Sequence, residues 1–163
     1  MYELENGVTL EAYGDNSFTG YRNRGIWLDG TNTLQMTHVK MPHIFTFESW
    51  IMAETTGTLF AVPNLIMIQL SHNYANFISP YHTISSHSDL ELDSWCNLAI
   101  LVFWKTGNMK IEFYFNGDRD SAYTLESLPL LDNYENEHLI GVNSFGSHMI
   151  GFIYSIDIYS ILV

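Results

Sequence analysis

The fold is decided by the stretch Trp95-Cys96-Asn97-Leu98-Ala99-Ile100-Leu101-Val102-Phe103-Trp104, followed by Lys105-Thr106-Gly107-Asn108, by Lys110-Ile111-Glu112-Phe113-Tyr114-Phe115, and by Asn116-Gly117-Asp118. The first segment is nearly continuous apolar. That predicts a central strand covered on both faces. Lys105–Asn108 reads as a hairpin turn. After it, Lys110, Glu112 and Tyr114 alternate with Ile111, Phe113 and Phe115, the period-2 signature of a strand. Asn116-Gly117 accepts the positive φ that a tight hairpin requires.

The same periodicity extends outward. Phe45, Phe47, Ser49 and Ile51 point one way; Thr46, Glu48, Trp50 and Met52 point the other. About a dozen strands at short spacing predict a sandwich or barrel. The aromatics Phe45, Phe47, Trp50, Phe113 and Phe115 offer large burial per residue, and Trp50, Trp95 and Phe113 are expected to be largely buried. Pro42, Pro63, Pro80 and Pro129 are scattered singly, and no linker or repeat interrupts the chain. With 163 residues, 47% of them hydrophobic, the expectation is one domain over 1–163 with a sizeable core. Val163 ends in strand-like sequence, so a larger parent protein fits as well.

Acidic residues number 18 and basic residues 6, a formal net charge of -12. A nucleic-acid binder needs a cationic face to displace counterions. Three lysines and three arginines do not build a large one, so no nucleic-acid partner is expected. The same charge opposes docking on an anionic membrane. The apolar run Met149–Val163 carries Asp157 and is too short for a transmembrane span of about 20 residues. Met1–Gly20 has no basic start and no apolar run, so no signal peptide is expected. The compartment stays open: intracellular if Met1 is the true start, extracellular if the chain is part of a longer secreted protein. Cys96 is alone, which excludes an internal disulfide and any cysteine-based metal cluster and suggests a small buried hydrophobe.

Several pieces, in order, resemble the laminin G-like, concanavalin A-like jelly-roll family. Gly25-Ile26-Trp27-Leu28-Asp29-Gly30 is similar to its strand ending in Asp-Gly. Phe45–Ile51 is similar to the strand with its frequent tryptophan. Trp95-Cys96-Asn97-Leu98-Ala99 resembles the start of its central strand. Lys110–Gly117 resembles the strand closing in Tyr-hydrophobic-Asn-Gly. Leu139-Ile140-Gly141 and Gly151–Tyr159 resemble its last two strands. The resemblance runs from about Gly25 to the end. It implies an all-β fold, a two-sheet antiparallel jelly-roll sandwich, and a family of lectins, receptor-binding modules and some glycoside hydrolases.

The hydrolases carry Glu-x-Asp-x-Glu on one strand. Asp89-Leu90-Glu91-Leu92-Asp93 looks superficially similar, since alternate strand positions would put three carboxylates on one face. The acid types are reversed, the segment precedes a strand entrance, and no acid or tryptophan cluster marks a cleft beside it. These acids are therefore not expected to be catalytic, and no enzyme activity is expected. Some family members bind calcium at the sandwich rim. Asp118 with Asp120, and Asp15 with Asn16, are only pairs, without the dense oxygen set that calcium wants. No cofactor is expected. The seven histidines form no metal motif; His82 and His87 would face opposite ways on a strand.

Thr55–Ser88 contains no Asp, Glu, Lys or Arg. Charge depletion marks both cores and interface centres. Within it, His72, Asn73, Tyr74, Tyr81 and His82 form a candidate binding surface, because aromatic faces stack on sugar rings and Asn or His satisfies hydroxyls. The expected function is a non-enzymatic interaction module that holds a glycan or protein partner through one face or rim. The alternatives are a structural subunit of a large assembly and a β-glucan-cleaving hydrolase.

Overall fold

The computed structural model describes residues 2–3, 9–13, 26–29, 33–40, 42–62, 65–105, 107–126, 135–140 and 150–160. Every element within them is a strand: β1 (Tyr2–Glu3), β2 (Thr9–Tyr13), β3 (Ile26–Asp29), β4 (Thr33–Lys40), β5 (Ile44–Ala53), β6 (Gly57–Val62), β7 (Ile66–Ser71), β8 (Tyr74–Ile78), β9 (Thr83–Asp89), β10 (Cys96–Lys105), β11 (Asn108–Phe115), β12 (Asp118–Leu125), β13 (Glu135–Ile140) and β14 (Ile150–Ser160).

The strands form two antiparallel sheets. One has the order β1-β2-β4-β13-β6-β7-β8-β9, the other β12-β11-β10-β5-β14-β3. The chain crosses between the sheets after β2, β3, β4, β5, β9, β12 and β13. That interleaving makes a jelly-roll sandwich.

Alternation dictates what lies between the sheets. Phe45, Phe47, Ile51 and Ala53 of β5 are buried, as are Leu98, Ile100, Val102 and Trp104 of β10 and Met109, Ile111 and Phe113 of β11. Ile66, Ile68 and Leu70 of β7 and Phe77 of β8 meet them from the other sheet. The Phe47 and Phe60 rings, one from each sheet, lie 5.6 Å apart at 36°. Such tilted contacts suit the aromatic quadrupole. β10 sits inside its sheet, paired with β5 and β11. Its outward side chains Ala99, Leu101 and Phe103 are half-buried, so the cover expected on both faces is complete only on the inner one.

Two aromatic expectations are corrected. Trp50 is 41% exposed. It shares the outward register with Thr46 and Glu48, where the alternation itself places it. Trp95 is half-buried at the mouth of the sandwich, just before β10. Phe113 is fully buried, as expected.

The turns also follow the local chemistry. Asn116 and Gly117 have φ of 52° and 87° between paired Phe115 and Asp118, a type I′ hairpin. His72 and Asn73 do the same between Ser71 and Tyr74, with φ of 51° and 69°. The Lys105–Asn108 hairpin is present, with Gly107 at φ 80°. Thr106 lies outside the described residues.

Candidate functional site

The pairings fix which loops share a rim. The β7–β8 turn at His72-Asn73, the β9–β10 connection over 90–95 and the β11–β12 turn at Asn116-Gly117 all lie at one end of the sandwich. The contacts agree. The Leu90 amide donates to the Asn73 carbonyl, the Asp93 amide to Ala53 at 2.9 Å, and the Asn116 amide to Asn97 at 2.8 Å. Among the described residues, the non-glycine positions with positive φ are His72, Asn73, Asp93 and Asn116. All four belong to this rim. At His72, Asn73 and Asn116 the type I′ turns require it, and Asn, Asp and His are the side chains that tolerate it best.

A cleft of about 470 Å³ opens between the β9–β10 connection and the β11–β12 turn. Trp95 and Phe115 supply aromatic surface in it. Asp89, Glu91 and Asp118 supply exposed carboxylates, and Asn116 the NH₂ of a side-chain amide whose oxygen accepts the Asn97 main-chain amide at 2.9 Å. Tyr74, 39% exposed, is paired with Asp89 and so stands beside the cleft.

The edge strands of the two sheets are clasped along this side. Asp120 of β12 accepts the His87 amide at 2.6 Å on one carboxylate oxygen and the Ser88 amide at 2.9 Å on the other. The Ser121 hydroxyl adds a third bond of 2.7 Å. Partial burial pushes the Asp120 carboxyl upward, but the hydrogen bonds from Ser88, Ser121 and the His87 amide outweigh it and hold the group below the ordinary aspartate range. Asp120 is therefore a bridge between sheets, and its oxygens are engaged.

Two cations of β11 and β12 are also engaged. On the outer face of the smaller sheet, Glu112 takes Lys110 at 2.7 Å and Arg119 at 3.3 Å on one oxygen, and the Tyr114 hydroxyl at 2.8 Å on the other. Its side chain is 9% exposed. The Lys110 hydrogen bond is the main cause holding the Glu112 carboxyl low, against the opposing push of burial. The same carboxylate raises the Tyr114 phenol.

The expected site residues divide between two rims. His72, Asn73 and Tyr74 stand beside the cleft. Tyr81, 56% exposed, and His82 lie in the β8–β9 connection at the opposite end. The five-residue strand β8 separates the groups by at least about 13 Å. There the His82 ring meets the Glu126 carbonyl at 2.9 Å. The structure thus does not bring the five residues together.

The acidic run behaves as a rim loop. Asp89 ends β9, Leu90 is buried, and Asp93 turns with φ 58°. The three carboxylates are not displayed on one strand. A cleft does adjoin Asp89 and Glu91, contrary to expectation, because Trp95, Phe115 and Asp118 arrive beside them. Calcium does not fit the Asp118 and Asp120 pair, since Asp120 is committed to the clasp. No group of three or more Asp, Glu, His or Cys that could hold a metal occurs among the described residues. Asp15 and Asn16 lie outside them. Cys96 is buried, which raises its thiol.

The uncharged stretch is explained by position. β6, β7 and β8 are interior strands, and β6 is buried throughout. The outward register holds Thr58, Gln69, Asn76 and Ser85 in a row across four strands. Ser85 donates to Asn76 at 2.6 Å, so neutral side chains satisfy one another where a charge would be costly to desolvate.

No family model matches the chain, and no curated protein sequence matches it. Solved structures do. One is domain 4 of AbnA, a GH43 extracellular arabinanase from Geobacillus stearothermophilus, in complex with arabinotriose. It is 16% identical at a TM-score of 0.70, over 94% of this chain and 82% of that one. A second is the binding domain of Paraclostridial Mosquitocidal Protein 1, 13% identical at a TM-score of 0.77, over 98% of this chain but 45% of that one. A third is the exoplasmic/lumenal domain of VIP36 bound to Ca²⁺ and Man3GlcNAc, 10% identical at 0.64, over 94% and 86%. The likeness is one of fold, a two-sheet antiparallel jelly-roll sandwich.

Proposed function

We propose that the chain is a non-enzymatic, laminin G-like glycan-binding module that takes a short oligosaccharide in the rim cleft. The observation that carries this reading is the cleft itself. Trp95 and Phe115 offer flat apolar surface for a sugar ring, and Asn116, Asp118 and Asp89 ring it with groups that bond hydroxyls. Tyr74 extends the aromatic surface at the margin. The likeness to arabinotriose-bound and Man3GlcNAc-bound domains supports a glycan over a protein partner. Hydrolysis is disfavoured because the acidic run is a turn rather than a strand presenting paired carboxyls. On this reading residues 1–163 act as one module.

The test is a glycan array followed by calorimetry on the oligosaccharides that bind, with arabinotriose and Man3GlcNAc included. Binding in the wild type that is lost in Trp95→Ala, with no reducing sugar released, is the expected result. Absence of binding across the array, or binding unchanged in Trp95→Ala, would end the proposal.

A further inference from the structure

Within the glycan reading, on which this step rests, the charges around the cleft select a class of sugar. Three exposed carboxylates line it: Asp89, Glu91 and Asp118. None of them has a cation within ion-pair distance among the described residues. Arg119 also lines the cleft, but its guanidinium is bonded to Glu112 at 3.3 Å. Lys110, farther along β11, is bonded to the same Glu112 at 2.7 Å and lies over the Phe103 ring at 5.7 Å. One carboxylate outside the cleft thus occupies both cations, and the cleft is left anionic beside the indole of Trp95.

We infer that the cleft prefers sugars bearing a protonated amine, such as glucosamine units, accepts neutral sugars more weakly, and rejects uronic acids. An ammonium between a tryptophan face and carboxylates gains from both the ring quadrupole and the charges. A sugar carboxylate there meets like charge, in a protein whose net charge is already -12. A basic peptide would satisfy the charges too. The aromatic surface and the amide of Asn116 favour a ring with hydroxyls.

The experiment compares the glucosamine trimer, its N-acetylated counterpart, trigalacturonic acid and trilysine by calorimetry. The pH is mildly acidic, where an amine is protonated. The glucosamine trimer should bind roughly tenfold tighter than the acetylated one, the sum of a few modest charge contacts. That margin should collapse at about 1 M salt, where charges are screened within about 3 Å. It should also collapse in Glu91→Gln/Asp118→Asn, whose wild-type urea midpoint reports an intact fold. Equal affinity for the two glucosamine-type trimers overturns this inference while the glycan reading stands. So does tight trigalacturonate binding, or a preference that survives salt or the double substitution. Trilysine binding tighter than the glucosamine trimer overturns it in favour of a basic peptide. Absence of binding by all four ends the inference together with the glycan reading.

Discussion

The Asp120 carboxylate on β12 accepts the main-chain amide of His87 on β9 at 2.6 Å, joining the edge strands of two different sheets. β9 carries no charged side chain before Asp89. Edge strands usually carry lysine or another charge that prevents pairing with a further chain. Here the charge comes from the opposite sheet and occupies the edge amides directly.

Asp120→Ala should therefore destabilise the fold by about 1–3 kcal/mol, the cost of removing hydrogen bonds to a charged acceptor. The pH dependence has a definite sign. The folded carboxyl titrates below its ordinary value, so its contribution is complete above the unfolded value of about 3.9 and fades as pH falls through the folded one. Urea midpoints of wild type and Asp120→Ala should differ at neutral pH and converge below about pH 4. A gap that stays constant into acid would contradict the role given to this group.

Gly151 pairs with Ala53 at φ 152°. A Cβ there would collide with the Met52 carbonyl oxygen and sit 2.9 Å from the Ala53 Cα, both of them main chain. Neither can move without breaking the β5–β14 ladder. Gly151→Ala should cost about 4 kcal/mol or prevent folding. A urea midpoint within experimental error of wild type would show that the strand start relaxes freely.

Trp50 and Trp104 should behave oppositely, with exposures of 41% and 2%. Trp50→Ala should lower stability by less than about 1 kcal/mol. Trp104→Ala should cost about 3–5 kcal/mol, as core aromatic truncations do. Acrylamide quenching should fall in Trp50→Ala, because that substitution removes an accessible indole. Unchanged quenching would mean that Trp50 is covered in solution.

Sequence periodicity made the sheets legible, because a strand reports its two faces every second residue. Trp50 shows how that reading fails. Its register with Thr46 and Glu48 placed it outside, yet its bulk suggested the core, and register prevailed. The cleft was less legible. Asp89 and Glu91 are visible as acids, but Phe115, Asn116 and Asp118 reach them only through a sheet crossing. The acids could not be recognised as a wall before the opposite wall was placed. The division of Tyr74 from Tyr81 had a local signal. A hairpin turn precedes β8 and a second connection follows it, so residues flanking one short strand belong to opposite ends.

That division separates the two tyrosines functionally. Tyr74 begins β8 beside the cleft, paired with Asp89, and is 39% exposed. Tyr81 follows β8 at the far rim and is 56% exposed. Both truncations to alanine should lower stability by less than about 1 kcal/mol, since neither ring fills the core. Their effects on ligand should diverge. Tyr74→Ala removes aromatic surface beside Asp89 at the cleft margin and should weaken oligosaccharide binding about tenfold, the equivalent of about 1.4 kcal/mol. Tyr81→Ala should leave affinity unchanged, because β8 holds it at least about 13 Å away. Calorimetry on the two variants reads both statements at once. Loss of binding in Tyr81→Ala with retention in Tyr74→Ala would move the site to the opposite rim, where the His82 ring meets the Glu126 carbonyl.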